Sequence, residues 1–400
     1  MKMRDFMKFN RRDFIRVGAV GAGASLLALA ARSAQAEAPW EQTSDTKIRI
    51  GVVGGGFGLS WHWHEHPNCV VQAVSDLIPE RREQLIGKYD CNNAYESLEK
   101  LVLDPDVDAV ALFTPAPDHA RHVILCMEHG KHVISACPGC LTLEEAAEMK
   151  AVKERTGLKY MSAETSWYRW ETQLAREAHA AGQFGDLLYC EAEYYHPGIG
   201  REGDSLSHKD GERTWRYGYP PMLYPTHSTA FLVGVTGERL SHVSCIGQGD
   251  ANEPSLKDNQ YDNPFLNGMA MFETERGNPF RCNVAWNIHA HGERAQWYAT
   301  KAALYMDGPG GQPFSMREEG RNNNTKPDYW HRIPEAMRYD SGHGASHPFI
   351  SNEFITALVE DREPTIDIYE ALALCVPGIV AHESSRRGGE RMAIPSFDKT

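Results

Sequence analysis

The chain has 400 residues, of which 42% are hydrophobic and 24% charged, and its formal net charge is −13 at pH 7. That length is enough for two domains. A chain this acidic is a poor candidate for binding nucleic acid or an anionic membrane surface, so we predict neither as a partner.

The first 36 residues are predicted to be an export signal that is not part of the fold. Residues 10–16 contain the pair Arg11 and Arg12, an apolar stretch rich in Gly and Ala covers 17–31, and residues 34–36 offer a cleavage site. The apolar stretch is short for a membrane-spanning helix. The alternatives are a cytoplasmic protein with a basic start and a membrane anchor. We predict twin-arginine export to the periplasm or the exterior, with no membrane attachment after cleavage.

The chain after the signal begins with a nucleotide-binding pattern. Two apolar runs, one ending at residue 53 and the other at residue 75, enclose a glycine-rich turn, and Asp76 follows the second run. The turn residues are Gly54, Gly56, Phe57 and Gly58. This order of strand, turn, helix and strand is typical of a dinucleotide site, in which glycines let the backbone approach a pyrophosphate. Asp76 can accept the ribose hydroxyls and would repel a 2′-phosphate, so we predict NAD as the cofactor.

Apolar runs and helical patterns alternate from residue 47 to about residue 160. Thr142 and Glu145 form a predicted capping box at the start of the second helical pattern. Repeated strand and helix units imply a parallel sheet that is covered on both faces. The predicted strands are 107–113, 132–135 and 159–163, and the predicted helices are 118–129 and 143–156.

The second half of the chain has longer and more alternating apolar runs, which predict an antiparallel or mixed sheet with one face on helices. An irregular, aromatic-rich stretch at 196–224 is typical of a loop that lines a site. Helices are predicted at 349–360 and 368–385. The predicted strands are 187–195, 242–247, 268–273, 280–287, 293–299 and 303–306.

These patterns predict an α/β protein with an N-terminal Rossmann domain and a C-terminal α/β domain. The second domain has a large, open, mostly antiparallel sheet. The predicted boundaries are 1–36 for the signal, 37–165 for the NAD-binding domain, 166–345 for the substrate and sheet domain, and 346–400 for C-terminal helices that close the two domains.

Five segments together resemble the Gfo/Idh/MocA family of sugar-active, nicotinamide-dependent oxidoreductases. They are the glycine turn, residues 108–115 with His119, and residues 130–133, 141–146 and 364–378. The resemblance covers nearly the whole chain after residue 36. It implies the two-domain fold just described, a homo-oligomer formed through the open sheet, and cofactor contacts from Thr114, Pro115, His119 and Pro138.

One departure from this family bears on the chemistry. The family usually carries Glu-Lys-Pro after residues 130–133, and its lysine assists proton transfer from the oxidised hydroxyl. Here the three positions are Ala136, Cys137 and Pro138. A lysine can lower the pKa of an alcohol and shuttle its proton, whereas a cysteine cannot do both. An ordinary sugar dehydrogenase mechanism is therefore in doubt.

A second departure is the segment from Leu223 to His227, which resembles Leu-Tyr-Pro-Thr-His of the NAD-dependent α-N-acetylgalactosaminidases, a branch that also lacks the lysine. Tyr168 resembles a second tyrosine of that branch. The resemblance implies that retained NAD takes a hydride from the C3 hydroxyl and that the ketone acidifies the C2 proton. Elimination at C1, addition of water and return of the hydride follow.

Three catalytic residues and four substrate residues are predicted. His227 is the predicted general base, because an imidazole titrates near neutrality; the alternative is a histidine bonded to backbone in the core. Tyr224 could polarise a ketone or hold a hydroxyl, and Tyr168 could bind sugar hydroxyls, although either tyrosine could simply pack. The predicted substrate residues could instead anchor their own segments, and they are Arg169, Trp215, Arg216 and Tyr217. His343 and His347 could line the site, although such residues are more often structural.

No metal site is predicted. His62, His64 and His66 are suitable ligand types, but their stretch should be helical, where positions two apart diverge. Cys137 and Cys140 resemble a thiol redox motif, and a passive disulfide is expected in preference to a working redox pair. The cysteines inside apolar runs are predicted to be buried small hydrophobes.

Export limits the chemistry, because free NAD is not expected outside the cytoplasm. A retained cofactor must then be regenerated within each catalytic cycle. We predict a carbohydrate-active enzyme that cleaves a small-molecule glycoside without net oxidation. The alternatives are an oxidoreductase that couples two sugars and a non-catalytic sugar-binding protein on this fold.

Overall fold

The computed structural model describes residues 39–399, so the predicted export signal lies outside the described residues. A search of this part of the chain finds no helix with the length and apolar character needed to cross a membrane.

The first sheet has six parallel strands in the order β3-β2-β1-β4-β5-β6. All four residues of β4 are buried, as expected for a parallel sheet that helices cover on both faces. The strands are β1 (Ile48–Val53), β2 (Cys69–Ser75), β3 (Ala94–Tyr95), β4 (Ala109–Leu112), β5 (His132–Ser135) and β6 (Tyr160–Ser162). The helices among them are α1 (Gly55–Gly58), α2 (Pro79–Tyr89), α3 (Leu98–Leu101), α4 (His119–Glu128) and α5 (Leu143–Thr156). The predicted parallel sheet is confirmed.

Helix α5 begins and ends where its sequence signals place it. The Thr142 hydroxyl accepts the Glu145 N–H at 3.1 Å, and the Glu145 carboxylate accepts the Thr142 N–H at 3.3 Å. Gly157 ends the helix with a φ of 68°, in the left-handed region. The predicted capping box is therefore confirmed.

The second sheet has nine strands in the order β16-β15-β14-β13-β7-β12-β11-β10-β17, and all pairs except β7 with β12 are antiparallel. A separate hairpin of β8 (His208–Lys209) and β9 (Glu212–Arg213) lies in the irregular stretch. The sheet strands are β7 (Leu187–Tyr195), β10 (Leu240–Gln248), β11 (Asn267–Thr274), β12 (Pro279–Ala285), β13 (Gly292–Ala299), β14 (Ala302–Tyr305), β15 (Ser315–Glu318), β16 (Arg321–Asn323) and β17 (Met392–Ala393). The six predicted strands are confirmed, and β15, β16 and β17 are additions.

One face of the second sheet packs on helices, and the other is open. The packed face meets α6 (Trp170–Ala180) and α7 (Thr226–Thr236), and all eleven residues of α7 are buried. Strand β11 alternates buried and exposed residues, so its outward side chains, among them Met269 and Met271, stay in solvent.

Two long helices follow, α8 (His347–Val359) and α9 (Ile368–Arg386). Helix α9 contributes Leu372 and Cys375 to the core of the first sheet and Val380 and Ala381 to the core of the second. Residues 39–399 belong to a single compact unit, so the domain boundaries given from the sequence stay predictions.

Candidate active site

The glycine turn between β1 and α1 has no room for a side chain at Gly54 and little at Gly58. Gly54 has a φ of 96°, and a Cβ added there would overlap the carbonyl oxygen of Phe113. At Gly58 an added Cβ would lie 3.1 Å from the Phe113 ring. At Gly56 the nearest atom would be the Arg81 guanidinium at 3.5 Å, so the turn is open on that side. A tight turn with exposed backbone at a helix start fits a dinucleotide pyrophosphate.

Asp76 holds this turn in place. One carboxylate oxygen accepts the Gly55 N–H at 2.6 Å, and the other accepts the Ile78 N–H at 2.8 Å. A carboxylate oxygen has a second lone pair, so both oxygens can still accept a ribose hydroxyl. No sequence pattern indicates this bond to the turn, and ribose recognition by Asp76 stays a prediction.

The other predicted cofactor residues tie the ends of two neighbouring strands. The His119 ring bridges two backbone carbonyls, those of Pro138 and Thr114, each at 2.7 Å. Thr114 and Pro138 follow β4 and β5, and Pro115 precedes the turn that leads into α4. His119 therefore links the carboxyl ends of β4 and β5, the edge where ligands bind in open α/β sheets.

His227 lies at the same edge, in the first turn of α7. Its Nδ1 lies 2.7 Å from Glu164 Oε1, and its Nε2 lies 4.0 Å from Cys137 Sγ. Glu164 and Cys137 each stand two residues beyond a parallel strand, β6 and β5. The three side chains are buried, and within residues 39–399 they form the only cluster of His, Cys and carboxylate groups close enough to hold a metal ion.

Glu164 changes the expected acidity of His227. Burial favours the neutral imidazole, but the Glu164 carboxylate overrides this and raises the pKa of His227 well above its usual value. Burial likewise opposes ionisation of Glu164, yet His227 lowers the pKa of that carboxyl to about 2. Burial raises the pKa of the Cys137 thiol. The expectation that His227 titrates near neutrality is therefore corrected, because a buried carboxylate holds its proton.

The two predicted tyrosines lie in different places. The Tyr224 ring lies 5.3 Å from the His227 ring and stacks on Tyr194. Tyr168 lies in the short turn before α6 and packs toward α8, and burial raises the pKa of its hydroxyl, on which Glu353 of α8 and Thr365 beyond that helix also act. The structure thus brings Tyr224 to His227 and turns Tyr168 toward α8.

Arg169 connects to His227 through two other side chains. Its guanidinium lies 3.7 Å from the Glu293 carboxylate, and Glu293 accepts a hydrogen bond from the Ser166 hydroxyl. That hydroxyl lies 3.3 Å from His227 Nδ1. Glu171 lies 3.9 Å from Arg169, but burial raises the pKa of this carboxyl to about 8. Arg169 lies nearer to Glu293, so we assign its charge to Glu293 and regard Glu171 as neutral at pH 7.

The predicted substrate residues of the irregular stretch have two kinds of surroundings. Trp215 and Arg216 stack on each other, whereas Tyr217 binds its own loop. The Arg216 guanidinium stacks on Trp215 at 4.2 Å, and its charge partly offsets the burial that raises the pKa of the Tyr194 and Tyr224 hydroxyls. Tyr217 is 3% exposed and donates to Glu202 at 2.7 Å, so it anchors its own loop.

A turn before α8 reaches across the site. His343 and Ala345 have left-handed backbone angles, with φ of 59° and 62°, on either side of Gly344. The His343 ring lies 6.1 Å from the His227 ring and 5.9 Å from Phe57. His347 packs behind it, stacked on Trp61 at 4.4 Å. His343 therefore spans the glycine turn and His227, while His347 is a packing residue.

The remaining histidines and cysteines do not form the sites that their spacing suggests. His62, His64 and His66 have different neighbours, namely Tyr339, Tyr89 and Asn352, and the stretch is a short 3₁₀ turn at Trp63–Glu65 instead of a full helix. All nine cysteines are buried free thiols. The passive disulfide between Cys137 and Cys140, which the sequence favours only over a working redox pair, is not formed: Cys137 lies beside His227, and Cys140 lies against Cys375.

Two family models match the chain. Residues 48–164 match the oxidoreductase family with NAD-binding Rossmann fold, Gfo/Idh/MocA, and residues 269–400 match the glycosyl hydrolase 109 C-terminal domain. A glycosyl hydrolase family 109 protein of Solibacter usitatus is 25% identical over 98% of both chains. An α-N-acetylgalactosaminidase of Shewanella oneidensis is 23% identical over 84% of this chain and 78% of its own.

Solved structures share the fold at low sequence identity. A levoglucosan dehydrogenase in complex with NADH and levoglucosan superposes with a TM-score of 0.73 at 18% identity, covering 88% of this chain and all of that one. An oxidoreductase domain protein from Kribbella flavida gives a TM-score of 0.72 at 19% identity over 88% of this chain and all of its own. These two confirm the predicted α/β architecture.

Proposed function

We propose that this chain, which belongs to the Gfo/Idh/MocA oxidoreductases and carries a glycosyl hydrolase 109 C-terminal domain, cleaves glycosides without net oxidation of the sugar. It is an NAD-binding, carbohydrate-active enzyme. The observation that carries the proposal is the replacement of a lysine by Cys137 beside the buried pair of His227 and Glu164. The site lacks the lysine ammonium that a sugar dehydrogenase uses, but His227 can still accept and donate a proton.

The residues of the glycine turn and Asp76 would hold the cofactor at the carboxyl edge of the first sheet. NAD, when bound, supplies reversible acceptance of a hydride from the sugar. The protein's part is to bind the sugar, to keep water away and to move protons. Arg216 and Trp215 offer a hydrogen-bond donor and a stacking surface for a sugar. The rings of Tyr194, Tyr224 and His343 lie 4.6, 5.3 and 6.1 Å from the His227 ring.

His227 is the proposed base that removes the proton beside a transient ketone. Glu164 accepts a hydrogen bond from Nδ1, which leaves Nε2 for the substrate, and it makes the imidazole more basic. The same carboxylate raises the pKa of His227 well above its usual value, so the neutral, active form of the base gains population toward higher pH.

Localisation and assembly are further parts of the proposal. We propose export by the twin-arginine pathway, supported by residues 10–36, and replacement of Arg11 and Arg12 by lysine should retain the protein in the cytoplasm.

We also propose that the open sheet face meets a second copy, because Ile246 pairs with Met269 across two strands and both are exposed, by 60% and 44%. Sedimentation of wild type and of Met269→Lys tests this, and equal mass as monomers would contradict it.

The test of function uses the purified full-length chain without added cofactor. We expect denatured protein to release NAD in a one-to-one ratio and native protein to cleave members of a glycoside panel, with a 3-keto sugar detected by mass. A sugar oxidised only when a second sugar is reduced would favour a coupled oxidoreductase. Binding without turnover would favour a sugar-binding protein.

A further inference from the structure

Two side chains flank the imidazole of His227, Glu164 on one nitrogen and Cys137 on the other. We propose that the three form one proton-transfer unit, in which Glu164 is a positioning residue and Cys137 is a catalytic acid that acts together with His227. The proposal rests on the proposed function, since it assigns the proton steps of that reaction to named atoms.

Geometry places Cys137 where it can act together with the base. The Cys137 sulfur lies 4.0 Å from Nε2 and Glu164 lies 2.7 Å from Nδ1, and ligand atoms of the three side chains lie within 4.8 Å of one another, so they form one compact buried cluster. Glu164 is itself fixed, because the same oxygen accepts the Ser166 N–H at 2.8 Å. Both partners come from positions just beyond parallel strands, so the sheet sets their separation.

Chemistry gives the pair complementary tasks at a sugar ketone. The C–H bond beside the ketone breaks, and its proton forms an N–H bond at Nε2 of His227. The bonding electrons form a carbon–carbon double bond while the carbonyl pair moves onto the oxygen. The S–H bond of Cys137 breaks, and its proton forms the O–H bond of the resulting enol. Nothing is oxidised or reduced in this step, and a thiolate remains beside an imidazolium.

The new charges are held within the unit. The imidazolium contacts both the Cys137 thiolate and the Glu164 carboxylate, and its positive charge offsets the repulsion between these two anions, whose atoms lie within 4.8 Å of each other. Other groups facing His227 are aromatic or imidazole rings, and one carboxylate reaches it through the Ser166 hydroxyl. They are Tyr194 on β7, Tyr224 before α7, His343 on the turn before α8, and Glu293 on β13. Glu164 is therefore the only carboxylate among the described residues in direct contact with the ring.

The test compares five full-length proteins: wild type, Glu164→Gln, Cys137→Ala, Cys137→Ser and the control Cys140→Ser, whose thiol lies against Cys375. Histidine-labelled protein is titrated by nitrogen NMR, with His227→Asn to assign the signal. Turnover and uptake of solvent deuterium beside the ketone are followed on a glycoside that wild type cleaves.

We expect Glu164→Gln to lower the pH at which His227 titrates and to move the rising limb of the activity profile down by the same amount. Cys137→Ala should lose about 10²-fold or more in both turnover and deuterium uptake, within the range of general acid–base catalysis. Cys137→Ser should recover part of this loss, because a hydroxyl still donates a proton. Cys140→Ser should behave as wild type.

Three outcomes would overturn the unit. They are an unchanged His227 titration in Glu164→Gln, wild-type turnover in Cys137→Ala, and stoichiometric zinc in the purified protein, since sulfur and nitrogen would then be metal ligands. If wild type cleaves no glycoside, the proposed function fails by itself. The titrations still decide the coupling, because His227 must respond to both Glu164→Gln and Cys137→Ala if the three groups share protons.

Discussion

The two sheets of this protein carry their polar residues in different places. In the parallel sheet the strands are buried on both faces, so the chemistry-bearing side chains appear only where strands end: Asp76 after β2, Cys137 after β5 and Glu164 after β6. In the nine-stranded sheet one face is open, and ion pairs such as that of Arg294 with Glu193 lie across it. A buried sheet thus gathers reactive groups at one edge, and an open sheet spreads charge over a surface.

The largest expected effect comes from removing His227, the side chain that lies beside both Glu164 and Cys137 at the edge of the first sheet. His227→Ala should lose about 10²–10⁴-fold in turnover, the range for loss of a general base, while the fold and bound NAD persist. Steady-state kinetics and the NAD content of denatured protein measure this. A variant with full activity would show that the strand-end cluster is not the catalytic centre.

Next in size is damage to the glycine turn at the same edge. Gly54→Ala combines a left-handed φ of 96° with overlap on the Phe113 carbonyl, so we expect a loss of a few kcal/mol in unfolding free energy and loss of retained NAD. Gly130→Ala is the matched control. Its φ is 76°, but an added Cβ meets nothing within 4 Å, so it should cost about 1 kcal/mol and keep NAD. If urea unfolding gives the same loss of unfolding free energy for Gly54→Ala and Gly130→Ala, the predicted overlap with the Phe113 carbonyl is wrong.

A smaller effect is expected for the residue that braces the turn. Asp76→Ala removes both acceptors of the Gly55 and Ile78 N–H groups, so it should weaken NAD retention and relax discrimination against NADP. Asp76→Asn keeps one acceptor oxygen and should retain more NAD. Calorimetry with both nucleotides separates the cases, and NADP in the wild-type protein as purified would contradict the assignment.

The smallest expected effect concerns the buried carboxyl of Glu171 in α6, and this effect depends on pH. Burial raises the pKa of Glu171 to about 8, above the value in an unfolded chain, so the folded state holds a proton that the unfolded state has lost. The wild type should therefore lose stability as pH rises toward 8, by at most about 1.4 kcal/mol per unit from this group. Glu171→Gln should lack this slope. Parallel unfolding curves at pH 6 and pH 8 would argue against a neutral Glu171.

The two sheets also differ in how well the sequence predicts them. Long apolar and alternating runs predict the strands of both sheets, because strand period is a local property. The short strands β15, β16 and β17 escape prediction, since they contain two to four residues and are largely polar or at the chain end.

The candidate site is less predictable, because its contacts join distant positions. His227 is indicated by its local motif, but its partners Glu164 and Cys137 lie 63 and 90 residues away. A charged residue just after the apolar run 159–163 is the signal that could have identified Glu164. The directions of Tyr168, toward α8, and Tyr217, toward Glu202, depend on packing that a motif does not encode.

Helix α9 has a consequence for how the chain reaches its native state. It supplies Leu372 and Cys375 to the core of the first sheet, and the Ser162 N–H donates to the Ile366 carbonyl at 3.0 Å next to β6. The nucleotide-binding half therefore cannot complete its core until α9 has been synthesised, long after β6, since contacts between segments far apart in sequence need both of them. A fragment ending near residue 165 would expose the apolar surface that α9 covers.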